Sequence, residues 1–179
     1  MNILITNVGR RDYFVDFLIS LKKKIKKLNI YISDNNIYTI RKNLKKVKYI
    51  KTCQVSENKN KYLNQIKGIV SKFKIKLIIP CTNFDLDLLS KNEKFFKKKN
   101  CLLSISKNSL IKKLLNKNKM YFFCKKNKIS TPKIYQKYNE VTNKKRKFVV
   151  KEKFGNSSKG LMIISNLKRK HFNRKNIVQ

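Results

Sequence analysis

At 179 residues the chain has room for one ordinary domain, or one domain with a small appendage, and its 41% apolar content excludes a mostly disordered protein. Its 46 Lys and Arg against 9 Asp and Glu give a formal charge of +37, which attracts polyanions whatever the fold. No apolar run approaches the ~18 residues that span a bilayer, and the opening MNILITNVGRR reverses the order of a secretory signal, so the expectation is a soluble, cytoplasmic protein with no membrane partner.

Asn2–Thr6 is a short β-rich run that ends in the tight turn Asn7-Val8-Gly9. Arg10 to Lys27 has helical spacing, with apolar Tyr13, Phe14, Phe17, Leu18, Leu21, Ile25 and Leu28 one, three or four residues apart. Asn29–Ser33 predicts a second strand closed by Asp34-Asn35-Asn36, Tyr38–Leu44 a short helix, and Val47–Thr52 a third strand. Glu57–Phe73 is amphipathic, with Tyr62, Leu63, Ile66, Ile69, Val70 and Phe73 on one face. Ile75–Pro80 is a fourth strand, Phe84–Phe96 a helix and Asn100–Ile105 a fifth strand. This alternation predicts a parallel, doubly wound, Rossmann-like sheet covered on both faces.

The pattern changes near Leu115. Asn116–Lys126 is helical, Ser130-Thr131-Pro132 breaks it, and Lys133–Gln136 is a short strand. Tyr138–Lys147 is polar loop. Lys147–Lys153 and Gly160–Ser165 then form a β-hairpin around the loop Phe154–Lys159, and Asn176–Gln179 begins a last strand. The fold class expected is therefore α/β: a Rossmann-like parallel sheet over residues 1–115, followed by a partial α+β subdomain over 116–179.

Lysine is spread along the whole chain, beside abundant Asn and Ile. These are residues of A- and T-rich codons, so the plain reading is compositional bias with lysine on solvated positions. The aromatics near lysines, Phe95-Phe96 and Tyr121-Phe122-Phe123, are what stacking on single strands would use, but their helical spacing suits a core better. Cys53, Cys81, Cys101 and Cys124 lie far apart and His171 is the only histidine, which excludes a clustered zinc site. Such cysteines pack as small hydrophobes in a reducing compartment.

Three regions can carry chemistry. Thr6 to Arg11 runs from a strand into a helix, where backbone N–H groups, the helix dipole, Arg10 and Arg11 suit a carboxylate. It lacks GxGxxG, and a plain βα turn with solvated arginines is the alternative. Lys151 leads into Gly155-Asn156-Ser157-Ser158-Lys159-Gly160, a loop able to fold over a triphosphate, though it is not a Walker A motif. Asp85 and Asp87 follow strand four, at the edge where open sheets bind ligands, or else favour a helix start.

Taken in order, NILITNVGRR, KLIIPCTNFDLDLLSKN, NKNKMYFFCKKNKISTPKIY and KFVVKEKFGNSSKGLMIISN resemble the ATP-grasp superfamily. The likeness is to its carbamoyl-phosphate-synthase-like and biotin-carboxylase-like carboxylate ligases. The first 115 residues match the entry domain of such proteins and the rest the opening of their ATP-binding domain. The resemblance implies ATP contacts from Lys117, Lys151, Gly155, Asn156, Ser157, Ser158 and Gly160. It leaves Arg10, Arg11 and Asp85 for a small carboxylate substrate. It also implies activation of that carboxylate by ATP to an acyl phosphate, then attack by an amine, thiol or other nucleophile, with magnesium bridging the phosphates.

Some positions depart from the pattern. Asn116 stands where the family has Asp, leaving Lys117 open to confusion with Lys119. Asn83 replaces an acid. Ser157 replaces a glycine, at a cost of about 1–2 kcal/mol if the position needs positive φ. The magnesium ligands and the second jaw fall in the family's C-terminal half, beyond the resemblance. The expectation is thus a truncated or split ligase, not catalytic alone, whose last strand is unpaired and whose remainder a second chain supplies. A basic nucleic-acid or polyanion binder on the same scaffold is the alternative, and an intact small-molecule binder using the arginine turn a third.

Overall fold

The computed structural model describes residues 1–9, 11–36, 45–143, 146–155 and 160–179, and the chain forms two units, Met1–Asn108 and Ser109–Gln179. The expected helix over Tyr38–Leu44 lies outside the described residues.

In the first unit β1 (Asn2–Thr6) is followed by α1 (Asp12–Lys24), β2 (Asn29–Asp34), β3 (Lys48–Lys51), α2 (Lys59–Lys72) and β4 (Leu77–Pro80). Helices α3 (Asn83–Lys91) and α4 (Glu93–Lys98) and the short strand β5 (Leu102–Leu103) complete it. Every pair is parallel and the order is β3-β2-β1-β4-β5, so the chain reverses its direction of travel at β1 and β4. The alternation of side chains along a strand divides the interior in two. Leu4 joins Tyr62, Ile66, Ile78, Leu89 and Phe96 on the face covered by α2 to α4. Ile3 and Ile5 join Val15, Leu18, Ile30 and Ile32 on the face covered by α1. Buried on both faces, the strands read as nearly continuous apolar runs, as parallel sheets require.

The helix expected over Phe84–Phe96 is two helices. At Asn92 the backbone turns to φ −107°, ψ 16°, and its N–H reaches back three residues to Leu89 O at 3.0 Å. Its side-chain amide donates to Leu88 O, also at 3.0 Å. An asparagine that competes for the helix carbonyls ends the helix, a local event that apolar periodicity does not register.

In the second unit α6 (Lys117–Lys126) precedes three antiparallel strands, β6 (Phe148–Glu152), β7 (Met162–Ile164) and β8 (Asn176–Val178), ordered β7-β6-β8. The short helix α5 (Asn108–Leu115) lies at the start of the unit. The last strand is not unpaired, as expected, but lies against β6 in register Val150↔Val178, Lys151↔Ile177 and Glu152↔Asn176. Val149 and Gln179 exchange two further backbone bonds of 2.9 Å. The strand expected over Lys133–Gln136 reduces to one bridge, in which Tyr135 N–H donates to Val178 O at 2.9 Å. The pairing of β8 draws on backbone groups that no side-chain pattern reveals. It is β7 that shows exposed apolar side chains, Met162 and Ile163 being 44% and 66% exposed. Phe148, Val150, Tyr135, Val141, Leu167 and Val178 form the main core, and Tyr121, Ile134 and Ile177 a second.

The four cysteines are free thiols. Of the aromatics read as core-facing, Phe96 and Tyr121 are buried, whereas Phe122 is half exposed. Among the described residues no helix is long and apolar enough to cross a membrane.

Phe96 is fully buried beneath the α3–α4 break. Phe96→Ala is expected to cost the first unit about 3–5 kcal/mol in denaturant titration. A loss under about 1 kcal/mol would mean that α4 is not anchored by this ring.

Candidate functional site

In the first unit the strand ends of β1 and β4 frame the crevice where an open sheet of this order takes ligands. The ladder runs on past β1, with Asn7 N–H donating to Ser33 O at 2.8 Å. Asn7 then adopts φ +48° and Gly9 φ +58°. Gly9 N–H donates to Asp34 Oδ2 at 2.9 Å, and Asn36 N–H to Asp34 Oδ1 at 3.1 Å. A cavity of about 250 Å³ opens here, lined among others by Asn7, Gly9, Asp34, Gln54, Thr82 and Phe84.

Asp85 does not line that cavity; it is fully buried behind it. Thr6 Oγ1 donates to its Oδ2 at 2.8 Å, and the Asn7 amide donates a very short bond to Oδ1. The same amide donates to the Tyr62 hydroxyl at 3.0 Å. Burial pushes the Asp85 carboxyl up to about 6, although the bonds from Thr6, Asn7, Thr82 and Tyr62 pull the other way. Burial, then the Asp85 charge, raises the Tyr62 hydroxyl. Burial also lifts the Cys81 thiol to about 11, against the Arg11 guanidinium. Arg11 caps α1 without a side-chain cap bond; its Nη1 donates to Val8 O at 3.2 Å. Arg10 lies outside the described residues.

In the second unit Asn116 occupies the N-cap of α6, its Oδ1 accepting from Asn118 N–H at 3.0 Å and Lys119 N–H at 3.1 Å. An amide oxygen thus does the work of the aspartate expected at that position. The cap starts the helix at Lys117, whose N–H donates to Lys153 O at 2.9 Å. Its ammonium donates to Glu152 O at 2.9 Å and to Gly155 O at 3.1 Å. Lys117 is therefore the lysine that reaches the base of the hairpin loop. Lys151 and Ile177 are register partners on β6 and β8, and Ile177 packs with Tyr121 of α6, so Lys151 shares the face that α6 covers. Burial, then the Lys151 ammonium, lowers the Lys117 pKa, and Glu152 opposes the shift.

Gly155 at φ +135° and Gly160 at φ +71° frame the loop. A Cβ on Gly155 would lie 3.3 Å from Glu152 Oε2, and one on Gly160 3.5 Å from Glu152 Cγ. Asn156, Ser157 and Ser158 lie outside the described residues. The structure therefore brings Lys117, Lys151, Gly155 and Gly160 to one end of β6. Asn7 and Thr82 fall within the turn after β1 and the loop after β4 that the sequence singles out, whereas Asp34 and Tyr62 are not among its site candidates. Asp34, an acid closing a strand, was the available signal; the reach of Tyr62 to the β1 turn had none. Among the described residues no three His, Cys, Asp or Glu are grouped to hold a metal.

The fold is similar to part of the chains of solved ATP-grasp enzymes. The biotin carboxylase domain of Hydrogenobacter thermophilus 2-oxoglutarate carboxylase, solved with MgADP, ADP and bicarbonate, matches 99% of this chain at 14% identity with a TM-score of 0.67. L-amino acid ligase from Bacillus licheniformis matches 99% at 13% identity with a TM-score of 0.63. D-alanine–D-alanine ligase from Bacillus anthracis matches 100% at 14% identity with a TM-score of 0.52. The chain spans 43%, 43% and 57% of the lengths of these three chains respectively. No protein-family model and no curated protein matches the sequence.

The Asp85 environment sets a pH dependence. Its folded value near 6 lies above the ordinary 3.8, so between these values the native state binds the proton more tightly than the unfolded chain. The stability it contributes is greatest when protonated and falls as pH rises from about 4 to 6, by at most about 3 kcal/mol. The stability difference between the unmodified protein and Asp85→Asn should therefore shrink or reverse over that range in urea titrations. Parallel pH profiles would show that Asp85 titrates normally.

Proposed function

We propose that the chain is the N-terminal part of an ATP-grasp carboxylate–amine or carboxylate–thiol ligase, with residues 116–179 gripping the nucleotide phosphates. The supporting observation is the Lys117 ammonium seated on the Glu152 and Gly155 carbonyls at the loop base, beside Lys151. Two ammonium groups gathered in one place, each costly beside the other, gain most from a polyanion between them. Lys151 would meet a phosphate oxygen as a point charge, and Lys117 would exchange a carbonyl for another. The loop from Gly155 to Gly160, including Asn156, Ser157 and Ser158, would close over the triphosphate with its N–H and hydroxyl groups.

The chemistry proposed for the complete enzyme is attack of a carboxylate oxygen on the γ-phosphorus. ADP leaves, and an amine or thiol then displaces phosphate from the acyl phosphate. The crevice at the end of β1, where the sequence runs on into Arg10 and Arg11, is the proposed place for the carboxylate. Asp85 enters it indirectly, by holding Asn7 and Thr6. Magnesium is assigned no residue here, since the described residues offer no grouped donors, and no step is derived through it. A second chain or further segment would supply those donors, and catalysis is proposed for the assembly rather than for these residues alone.

Thermal unfolding with and without Mg-ATP tests the nucleotide grip. ATP at about 100 times its Kd should stabilise by about 2.7 kcal/mol, and Lys151→Ala should abolish the gain. An absent shift, or an equal shift in both proteins, would sink the reading and leave only the general field of the charge.

A further inference from the structure

The second unit holds a pocket of about 480 Å³ whose walls include neither Lys117 nor Lys151. The volume falls within the ~300–1,000 Å³ range of small-molecule sites. Its floor is apolar and closed: Ile134, Ile177 and Val178 are 5%, 3% and 1% exposed. At its wall stand Lys153, Arg174 and Phe172. Among the described residues no Asp or Glu lines it, and neither Lys153 nor Arg174 is paired with a carboxylate.

Backbone bonds build the walls in place. Lys153 N–H donates to Lys175 O at 2.7 Å, joining the end of β6 to the approach to β8. Asn173 Oδ1 accepts from Lys175 N–H at 2.9 Å and from Asn176 N–H at 3.0 Å, fixing the turn that carries Arg174. On the opposite side, Tyr135 N–H holds Val178 O at 2.9 Å. The Gln136 side chain is engaged by Asn118, donating at 2.9 Å and accepting at 3.3 Å. The two cations therefore stand on braced backbone segments, and only their side chains have to be ordered on binding.

We propose that this pocket is a second anion site, separate from the nucleotide grip, taking a small phosphate monoester with an apolar or aromatic body. A dianionic phosphate matches two cations offered from different segments, where a single carboxylate would satisfy one. The apolar floor and the Phe172 ring account for the body. The proposal does not depend on the ATP reading, because it uses other residues.

Phenyl phosphate is the probe, titrated into the full chain by calorimetry and by backbone-amide NMR. Saturable binding is expected, tighter than for inorganic phosphate, with shifts centred on Tyr135, Phe172 and Ile177. The double variant K153Q/R174Q should weaken it at least about tenfold, the scale of one lost charge-assisted contact. K22Q/K23Q removes the same charge from exposed positions of α1 and should change it less than about twofold, the effect of the general field alone. Equal losses in the two double variants would overturn the proposal in favour of the general field. Equal affinity for phenyl and inorganic phosphate would overturn the ligand class. If K153Q/R174Q fails to fold, the NMR map decides: shifts centred on Lys117 and Lys151 overturn the proposal, and shifts centred on Phe172, Asn173 and Arg174 uphold it.

Discussion

The geometry of the first unit depends on a carboxylate with no access to water. Burying an unpaired charge costs several kcal/mol, and Asp85 is tolerated because donors from several elements converge on it. Thr6 and Asn7 come from the end of β1, Tyr62 approaches from α2, and Asp85 belongs to the first turn of α3. One group thus joins β1 to the helices at the point where the sheet reverses its order. Asn7 can hold its left-handed backbone there because its side chain is engaged on both sides. The crevice in front is the space these bonds leave.

A shortage of acids shapes the rest. With a net charge of +37 the folded chain repels itself, and few carboxylates are available to pair with its lysines. The pairs Lys91–Asp87 and Lys97–Glu93 span a single helical turn at the surface, where each contributes a few tenths of a kcal/mol. Stability rests on the apolar clusters instead. Polar duties fall to neutral groups: Asn58, Thr82 and Asn116 cap helices, and backbone carbonyls hold the Lys117 ammonium. A cation resting on neutral carbonyls, with Glu152 offsetting only part of its charge, keeps charge to offer a phosphate.

Much of this was legible in the sequence. The first-unit strands and α2 follow from periodicity, and the β6–β7 hairpin from two β-rich runs around a polar loop. Lys151 and its loop are singled out by the residues themselves and Lys117 by the resemblance; both lie near one end of β6. What periodicity missed was set by single polar groups or by distant backbone. Asn92 divides a helix through its side chain; β8 is paired through carbonyls that no residue type announces. The crevice is lined by Asp34, Gln54 and Thr82, which lie far from the turn in sequence. Asp85 was read as a ligand or as a helix-start residue, and it sits in the first turn of α3 as an internal acceptor.

The central claim is that two particular lysines, among 46 basic residues, form a nucleotide-phosphate site. The most direct test is labelling with an acyl-phosphate derivative of ATP, which transfers its acyl group to a lysine amine close to the bound phosphates and releases ATP. Mass spectrometry of the digested protein then ranks the modified lysines. The account predicts that Lys117 and Lys151 are labelled first and that excess ATP protects them. Labelling spread over exposed lysines in proportion to their accessibility, unaffected by ATP, would contradict it.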